Sequence, residues 1–216
     1  MNKKTICSFI QPELKMKPRE DIDTIYRTAL SVFAEFGFQK TTMADVAGRL
    51  GMTKGNLYLY VKDKKDLYHQ TVSHALTAWQ GKVLEAVEVE PDVRRKFSLM
   101  CVKAVEYLSE DMLLRQVLVR DPEIFPMFPS KDPFFEINRN SVELIKHILK
   151  QGIAENVFRP VDPDRVSEVV FMIYKMFIIR MYIKTEDQMI HEMFEDTVDL
   201  FAHGLFKNPN KEGDPR

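Results

Sequence analysis

Residues 41–68 read TTMADVAGRLGMTKGNLYLYVKDKKDLY, the most informative segment of the chain. Thr42, Thr53 and Asp63 are each typical of the residue that caps the start of a helix, because their side chains can accept from free backbone N–H groups. Gly51 can adopt the positive φ that ends a helix sharply. The stretch therefore predicts two short helices joined by a glycine turn, followed by the start of another helix.

The second of these short helices begins with residues suited to DNA. Lys54 can reach guanine acceptors or phosphate, and Asn56 can pair with an adenine edge. Gly55 lets the backbone approach the DNA, while Leu57 is expected to face inward and hold the helix to its neighbours. Groups suited to phosphate oxygens, which set register rather than sequence, follow at Tyr58, Tyr60 and Lys64.

These motifs resemble the DNA-binding domain of the TetR (tetracycline-repressor) family of bacterial regulators. The resemblance rests on T-T-M-x-D-V-A-x-x-L-G-M followed by T-K-G-N-L-Y-x-Y-V-K-x-K-x-x-L, and it runs from about Arg19 to about His74. It implies a homodimer that binds a palindromic operator and a larger helical domain that binds a small molecule. Gly48 and Leu59 depart from the family pattern. The resemblance implies DNA contacts from Thr42, Thr53, Lys54, Asn56, Tyr58, Tyr60 and Lys64, to which the backbone argument adds Gly55.

Other functions are open on the residues alone. A three-helix unit with a glycine turn could be a protein-interaction module, and a lysine cluster is usually a solvated face. Charge favours DNA, since residues 1–65 hold 12 Lys and Arg against 7 Asp and Glu, whereas the whole chain carries −1. The prediction is a ligand-responsive transcriptional repressor. The alternative is a small-molecule-binding or protein-interaction helical protein with a vestigial DNA-binding head.

Length and composition predict an all-α fold of about nine helices. The 216 residues include only 8 glycines and are 45% hydrophobic, which is enough to bury a sizeable core. The first helix is expected to stop at Gly37. The predicted organisation is a flexible basic arm (1–18), a three-helix DNA-binding domain with the helix-turn-helix (19–65), a helical ligand-binding and dimerisation domain (66–207) and a flexible tail (208–216).

The C-terminal helices predict how the chain dimerises. A long helix over about 65–89 would link the DNA-binding domain to the rest, and a later helix is expected to end at Gly152. The penultimate helix, about 163–184, is apolar all round, and the last, about 186–206, has one apolar stripe. Two such helices from each of two subunits would close a four-helix bundle, so we expect a homodimer through the last two helices.

The chain also predicts a cavity for a small, apolar or aromatic effector. Its 12 Met and 15 Phe lie mostly after residue 92, and such side chains suit adaptable apolar cavities. The proline- and phenylalanine-rich segment 121–135 is either a lid over that cavity, part of the dimer surface, or a loop packed on its own core. For each candidate an ordinary place in the core is the alternative. The candidates are Phe97, Met100, Cys101, Tyr107, Phe128, Phe171, Tyr174 and Phe177.

Nothing in the sequence favours an enzyme. The five histidines are scattered, and we expect no catalytic residues, no metal site and no cofactor. Only Cys7 and Cys101 occur, which suits a reducing compartment. With no apolar leader and no good membrane span, the expected location is the cytoplasm, in association with the nucleoid.

Overall fold

The structure, a computed structural model, describes residues 21–121, 124, 132–184 and 188–205, without the side chains of 182–184 and 188. Within these ranges the chain forms nine α-helices, which confirms the predicted all-helical fold. The expected arm (1–18) and tail (208–216) lie outside the described residues. The helices are α1 (Ile22–Lys40), α2 (Met43–Arg49), α3 (Lys54–Leu57), α4 (Lys64–Glu88), α5 (Val93–Glu110), α6 (Met112–Arg120), α7 (Phe135–Ala154), α8 (Pro163–Ile178) and α9 (Gln188–Leu205).

The predicted end of the first helix at Gly37 is wrong by one short turn. Gly37 has φ 75° and ψ 162°, which interrupts the helical path, but α1 resumes as far as Lys40. The backbone N–H of Thr41 then donates to the Gly37 carbonyl at 3.1 Å. The glycine therefore produces a kink rather than a stop, because the positive φ is followed by a second set of helical residues.

The expected helix end at Gly152 is also wrong, since α7 continues to Ala154. Asn156, with φ 60°, makes the actual turn, and the backbone N–H groups of Val157 and Phe158 both donate to the Gly152 carbonyl at 2.9 Å. This turn folds the Phe158 ring back onto Gly152, where any Cβ would overlap the ring. Gly152 is thus required by close packing and not by helix termination.

The penultimate helix is not one regular α-helix over 163–184. α8 ends at Ile178 and the chain continues as a π-helix over Ile179–Lys184. The wider π turn shifts the hydrogen-bonding pattern by one residue, which an apolar pattern in sequence does not report. α9 follows at Gln188, two residues after the predicted start of the last helix.

Packing places α4 at the centre of the molecule. It lies against α1 on its N-terminal half and against α5 and α7 further along, while α6 packs on α1 and α7 on α8. One buried apolar cluster runs through all of these contacts. Through these contacts α4 connects the helix-turn-helix directly to the C-terminal helices.

In the part of the chain that the structure describes, no helix has the length and apolar character needed to cross a membrane.

Candidate nucleic-acid interface and effector cavity

Local capping chemistry fixes where α2 and α3 begin. Thr42 and Asp45 form a capping box, in which the Asp45 carboxylate accepts from the Thr42 backbone N–H at 2.8 Å and the Thr42 hydroxyl accepts from the Asp45 N–H at 3.3 Å. The Thr42 hydroxyl also donates to the Asp45 carboxylate at 2.8 Å, and this bond, followed by the one from the Thr42 backbone N–H, holds the pKa of Asp45 below its ordinary value. Gly51 has φ 66°, as predicted, and the Thr53 hydroxyl caps α3 by accepting from the Asn56 N–H at 3.2 Å.

α3 is anchored on one side and open on the other. Leu57 is 0% exposed and belongs to the core, as its predicted inward orientation requires. The residues before it are exposed, and the Lys54 ammonium lies 5.9 Å from the centroid of the Tyr58 ring. The N-terminal end of α3 therefore presents one continuous polar surface, formed by Thr53, Lys54, Gly55, Asn56 and Tyr58.

Two of the residues expected to contact phosphate lie deeper than the others. Tyr60 is half-buried and packs against the core. The Lys64 ammonium donates to the carbonyl oxygens of Phe38 at 2.9 Å and Gln39 at 3.3 Å, and it lies 4.6 Å from the Phe38 ring centroid. Lys64 thus ties the first turn of α4 to the end of α1, a role that its sequence position did not reveal.

A cavity of about 520 Å³ lies between α4, α5, α7 and α8. Its wall is mostly apolar, with a few hydrogen-bonding side chains on α4 and α7. This size and lining are typical of small-molecule sites in proteins. The lining residues are Thr77, Trp79, Gln80, Gly81, Val83, Leu84, Met100, Cys101, Ala104, Asn140, Ser141, Leu144, Ile145, His147, Val170, Phe171 and Tyr174.

Four of the eight candidate effector residues line this cavity, namely Met100, Cys101, Phe171 and Tyr174. Phe97 packs edge-on against Phe158 in the core at a centroid distance of 6.4 Å. Phe177 packs against Phe194 at 5.3 Å, and Tyr107 lies near the Lys103 ammonium. Phe128 and most of the segment 121–135 fall outside the described residues.

The polar wall of the cavity was missed in the sequence. Gln80 on α4 donates at 2.8 Å both to the Ile137 carbonyl and to the Ser141 hydroxyl on α7. Trp79 donates its indole N–H to the Ala104 carbonyl at 2.9 Å, which fixes its ring in the wall. The only sequence feature that could have indicated this wall is Trp79, the single tryptophan of the chain, which lies in the predicted linking helix.

Burial perturbs two ionisable groups here, Cys101 in the cavity wall and Lys175 beside the wall residue Phe171. Burial raises the pKa of the Cys101 thiol to about 12, so the thiol stays protonated and behaves as part of the apolar wall. Lys175, only 8% exposed, has its ammonium 5.8 Å from the ring centroid of Phe171. Burial lowers the pKa of Lys175, while the carboxylates of Asp132 and Glu168 act in the opposite direction.

The end of α6 joins the helix-turn-helix to the C-terminal helices. Arg120 donates to the carbonyl oxygens of Ala34 at 2.8 Å and Glu35 at 3.0 Å, both on α1. The neighbouring Asp121 accepts from the phenol of Tyr68 on α4. Arg120 and Asp121 are therefore hydrogen-bonded to α1 and α4, the two helices that support α2 and α3.

Comparison with known proteins agrees with this arrangement. Residues 25–71 match the family model described as "Bacterial regulatory proteins, tetR family". The chain is 24% identical over 150 residues to the uncharacterized HTH-type transcriptional regulator YhgD of Bacillus subtilis, covering 69% of this chain and 78% of that protein. It is 24% identical over 164 residues to the HTH-type transcriptional repressor KstR2 of Mycolicibacterium smegmatis, covering 74% and 78%.

A solved structure shares the fold over most of the chain. The transcriptional regulator FadR of Bacillus subtilis, solved in complex with stearoyl-CoA, superposes with a TM-score of 0.70. The match covers 85% of this chain and 99% of that protein at 17% sequence identity. At that identity the likeness establishes a common architecture, in which a helix-turn-helix precedes a larger helical domain.

Proposed function

The chain belongs to the tetR family of bacterial regulatory proteins and is a DNA-binding transcriptional regulator, and we propose that it represses transcription as a ligand-responsive dimer on a palindromic operator. One observation carries the proposal. The polar N-terminal end of α3 is exposed while Leu57, at its last residue, is completely buried. A rigidly anchored helix with an open polar face is the element that enters the major groove in helix-turn-helix proteins.

The proposed contacts follow from where each side chain lies. Lys54 and Asn56 reach base edges, and Gly55 lets the α3 backbone come close to the groove. The hydroxyl of Thr53 and the phenols of Tyr58 and Tyr60 bind phosphate oxygens, which set the register. Thr42 would join them only by exchanging the hydrogen bond that its hydroxyl donates to the Asp45 carboxylate for one to a phosphate. Lys64 contributes by holding α4 to α1 and adds positive potential near the phosphates.

The proposed dimer forms through α8 and α9. In the single chain, Val169, Met172 and Met176 are 42%, 55% and 49% exposed, and their spacing places them on one face of α8. α9 exposes a second apolar set, formed by Met189, Met193 and Leu200. A second copy that covers both faces would form an isologous four-helix interface. Two-fold symmetry would then set the two α3 helices about 34–36 Å apart, or a multiple of that, on successive major grooves.

The proposed effector is a small molecule with a long apolar or aromatic body that occupies the 520 Å³ cavity. Apolar walls from α5 and α8 suit such a body, while Gln80, Asn140, Ser141 and His147 can orient one polar group. A structural neighbour was solved with stearoyl-CoA, so a long-chain acyl thioester is the first compound to test. A regulator that acts on the chromosome would work in the cytoplasm, in association with the nucleoid.

The proposed response passes along α4. Its residues from Thr77 to Leu84 line the cavity, and its first turn adjoins the helix-turn-helix through Lys64. An effector that prefers a different position of α4 would shift the population away from the spacing that fits the operator. Because the coupling is reciprocal, bound operator would also weaken binding of that effector.

The test combines DNA binding and Trp79 fluorescence. The protein is titrated with DNA from its own upstream region at two salt concentrations, and we expect a retarded complex that weakens steeply as salt increases. Stearoyl-CoA is then added, and we expect changed emission from Trp79 together with release of the DNA. Leu144→Phe, which narrows the cavity, should suppress both effects. The absence of any specific complex would reject the operator, and a complex insensitive to the thioester would reject the acyl effector.

A further inference from the structure

Leu59 is an apolar side chain on the element that we propose enters the major groove. It is 82% exposed and lies two residues after the end of α3, next to the C-cap residue Tyr58. The backbone keeps winding through this position, since Leu59 N–H donates to the Asn56 carbonyl at 3.1 Å and Tyr60 N–H donates to the Leu57 carbonyl at 3.1 Å. Leu59 therefore belongs to the same helical turn as the proposed base-reading residues.

The position of Leu59 on that turn is opposite to the buried anchor. The two hydrogen bonds join residues three apart, as in a 3₁₀ turn, so Leu59 lies about 200° (at 3.6 residues per turn) to about 240° (at 3.0) around the axis from Leu57. Gly55, four residues earlier, lies on the same outward face and presents no side chain. A Cβ at Gly55 would meet only the Thr53 hydroxyl, at 3.8 Å. The outward face thus has an open backbone in one turn and a branched apolar side chain in the next.

A single exposed leucine is ordinary on a protein surface and by itself indicates nothing. Val89, at the end of α4, is equally exposed at 82% and lies far from α3 in the chain. Leu59 differs because it lies next to Tyr58 in the chain and one turn after Asn56, two residues that we propose contact DNA. Among the features of the major groove, only the C5-methyl group of thymine offers an apolar partner of this size.

We propose that Leu59 is a specificity-determining residue that contacts a thymine C5-methyl group in each operator half-site. This inference rests on the proposed operator binding. The methyl would belong to a base pair next to the one contacted by Asn56, because the two side chains leave the helix three residues apart on adjoining faces. Leu59 would then supply sequence preference where neighbouring side chains supply hydrogen bonds.

The test replaces thymine by deoxyuridine, which removes only the methyl group. The operator is first selected from random duplexes, and each symmetry-related thymine pair is then exchanged in turn. Burial of one methyl-sized group gives about a fourfold change in affinity, so we expect about a sixteenfold loss at one palindromic pair. Leu59→Ala should bind the thymine operator with a similar loss and show no further loss with deoxyuridine.

Val89→Ala is the matched control and should bind both duplexes as the unaltered protein does. Circular dichroism should show unchanged helix content in Leu59→Ala, since its side chain is outside the core. If no deoxyuridine exchange weakens binding, or if Leu59→Ala keeps the full sensitivity, the assignment of Leu59 is overturned. If the unaltered protein selects no duplex at all, the proposed operator binding fails first and the assignment fails with it.

Discussion

The phenol of Tyr68 on α4 donates a hydrogen bond of 2.7 Å to the carboxylate of Asp121 at the end of α6. The adjacent Arg120 holds two carbonyl oxygens of α1, and its side chain passes 3.7 Å from where a Cβ of Gly37 would lie. The end of α6 is therefore attached both to the helix that lines the cavity and to the helix that supports α2. If α4 moves relative to α6, these hydrogen bonds must either break or pull the end of α6 with α4.

Tyr68→Phe is expected to lower the free energy of unfolding by about 1.5–3 kcal/mol, the contribution of a hydrogen bond to a charged group. It should also weaken the dependence of DNA binding on the effector, because α4 loses its attachment to α6. Urea unfolding measures the first effect. Tyr107→Phe is the control and should stay within about 0.5 kcal/mol, since its phenol has no hydrogen-bond partner among the described residues.

The same pair gives a pH dependence with a defined sign. Burial, followed by the hydrogen bond to Asp121 and its charge, raises the pKa of Tyr68 well above its ordinary value of 10. Above about pH 10 the unfolded phenol loses its proton while the folded one keeps it, so the unfolded state binds fewer protons and stability falls. The fall should be smaller in Tyr68→Phe than in the unaltered protein. Parallel curves for the two proteins above pH 10 would contradict the buried hydrogen bond.

Gly152→Ala should be among the most destabilising single-methyl changes in the chain. The added Cβ would overlap the Phe158 ring, which is 1% exposed and cannot move without disturbing the core. We expect a loss of about 1–3 kcal/mol in thermal or urea unfolding, as for other overpacked cores. Gly48→Ala is the matched control, because it lies in α2 with nothing within 4 Å of its Cβ. It should stabilise by up to about 1 kcal/mol, and equal effects at both glycines would refute the packing argument.

Lys64→Ala separates a structural role from a phosphate contact. Loss of the two hydrogen bonds to α1 should lower the free energy of unfolding by about 1–3 kcal/mol and reduce affinity for all DNA sequences alike. Lys65→Ala, at an exposed neighbouring position, should change stability by less than about 0.5 kcal/mol. If Lys64→Ala leaves unfolding unchanged and reduces the salt dependence of DNA binding by about one unit, Lys64 binds phosphate instead.

Met176→Asp should dissociate the proposed dimer. Met176 is 49% exposed in the single chain and is the C-terminal member of the exposed apolar face of α8. A carboxylate there would be buried without a partner in the dimer, which strongly disfavours association. Sedimentation velocity measures the change in mass. Val102→Asp on α5, with the comparable exposure of 47%, should remain dimeric, and a dimeric Met176→Asp would place the interface elsewhere.

The features predicted correctly from the sequence are helix caps and turns, which depend on only a few neighbouring residues. Thr42, Thr53 and Asp63 each accept from the backbone N–H group three residues further along the chain, so their roles need no distant partner. The turn at Gly51 likewise depends on one backbone dihedral. Gly37 and Gly152 misled the prediction of helix ends, because a glycine can serve a kink or a close contact as well as a stop.

The cavity could be predicted only in part, because its wall is assembled from distant segments. Met100 and Phe171 were found from composition, but Gln80 and Ser141 meet across 61 residues of sequence and have no local pattern in common. Phe97 has the same apolar character as the lining residues yet points into the core against Phe158. Distinguishing the wall from the core requires the relative rotation of α4, α5 and α7, which tertiary packing sets.

Operator recognition by α3 is measured by selecting DNA duplexes from a random pool. We expect the protein to enrich a palindromic sequence. We expect Asn56→Ala to lose discrimination at one base pair in each half-site, by about 1–3 kcal/mol, and to keep the same spacing between half-sites. Thr53, Lys54 and Asn56 would then be base-reading and positioning residues of an operator-binding helix. If no sequence is enriched, or if Asn56→Ala enriches the same sequence with equal discrimination, α3 does not read an operator.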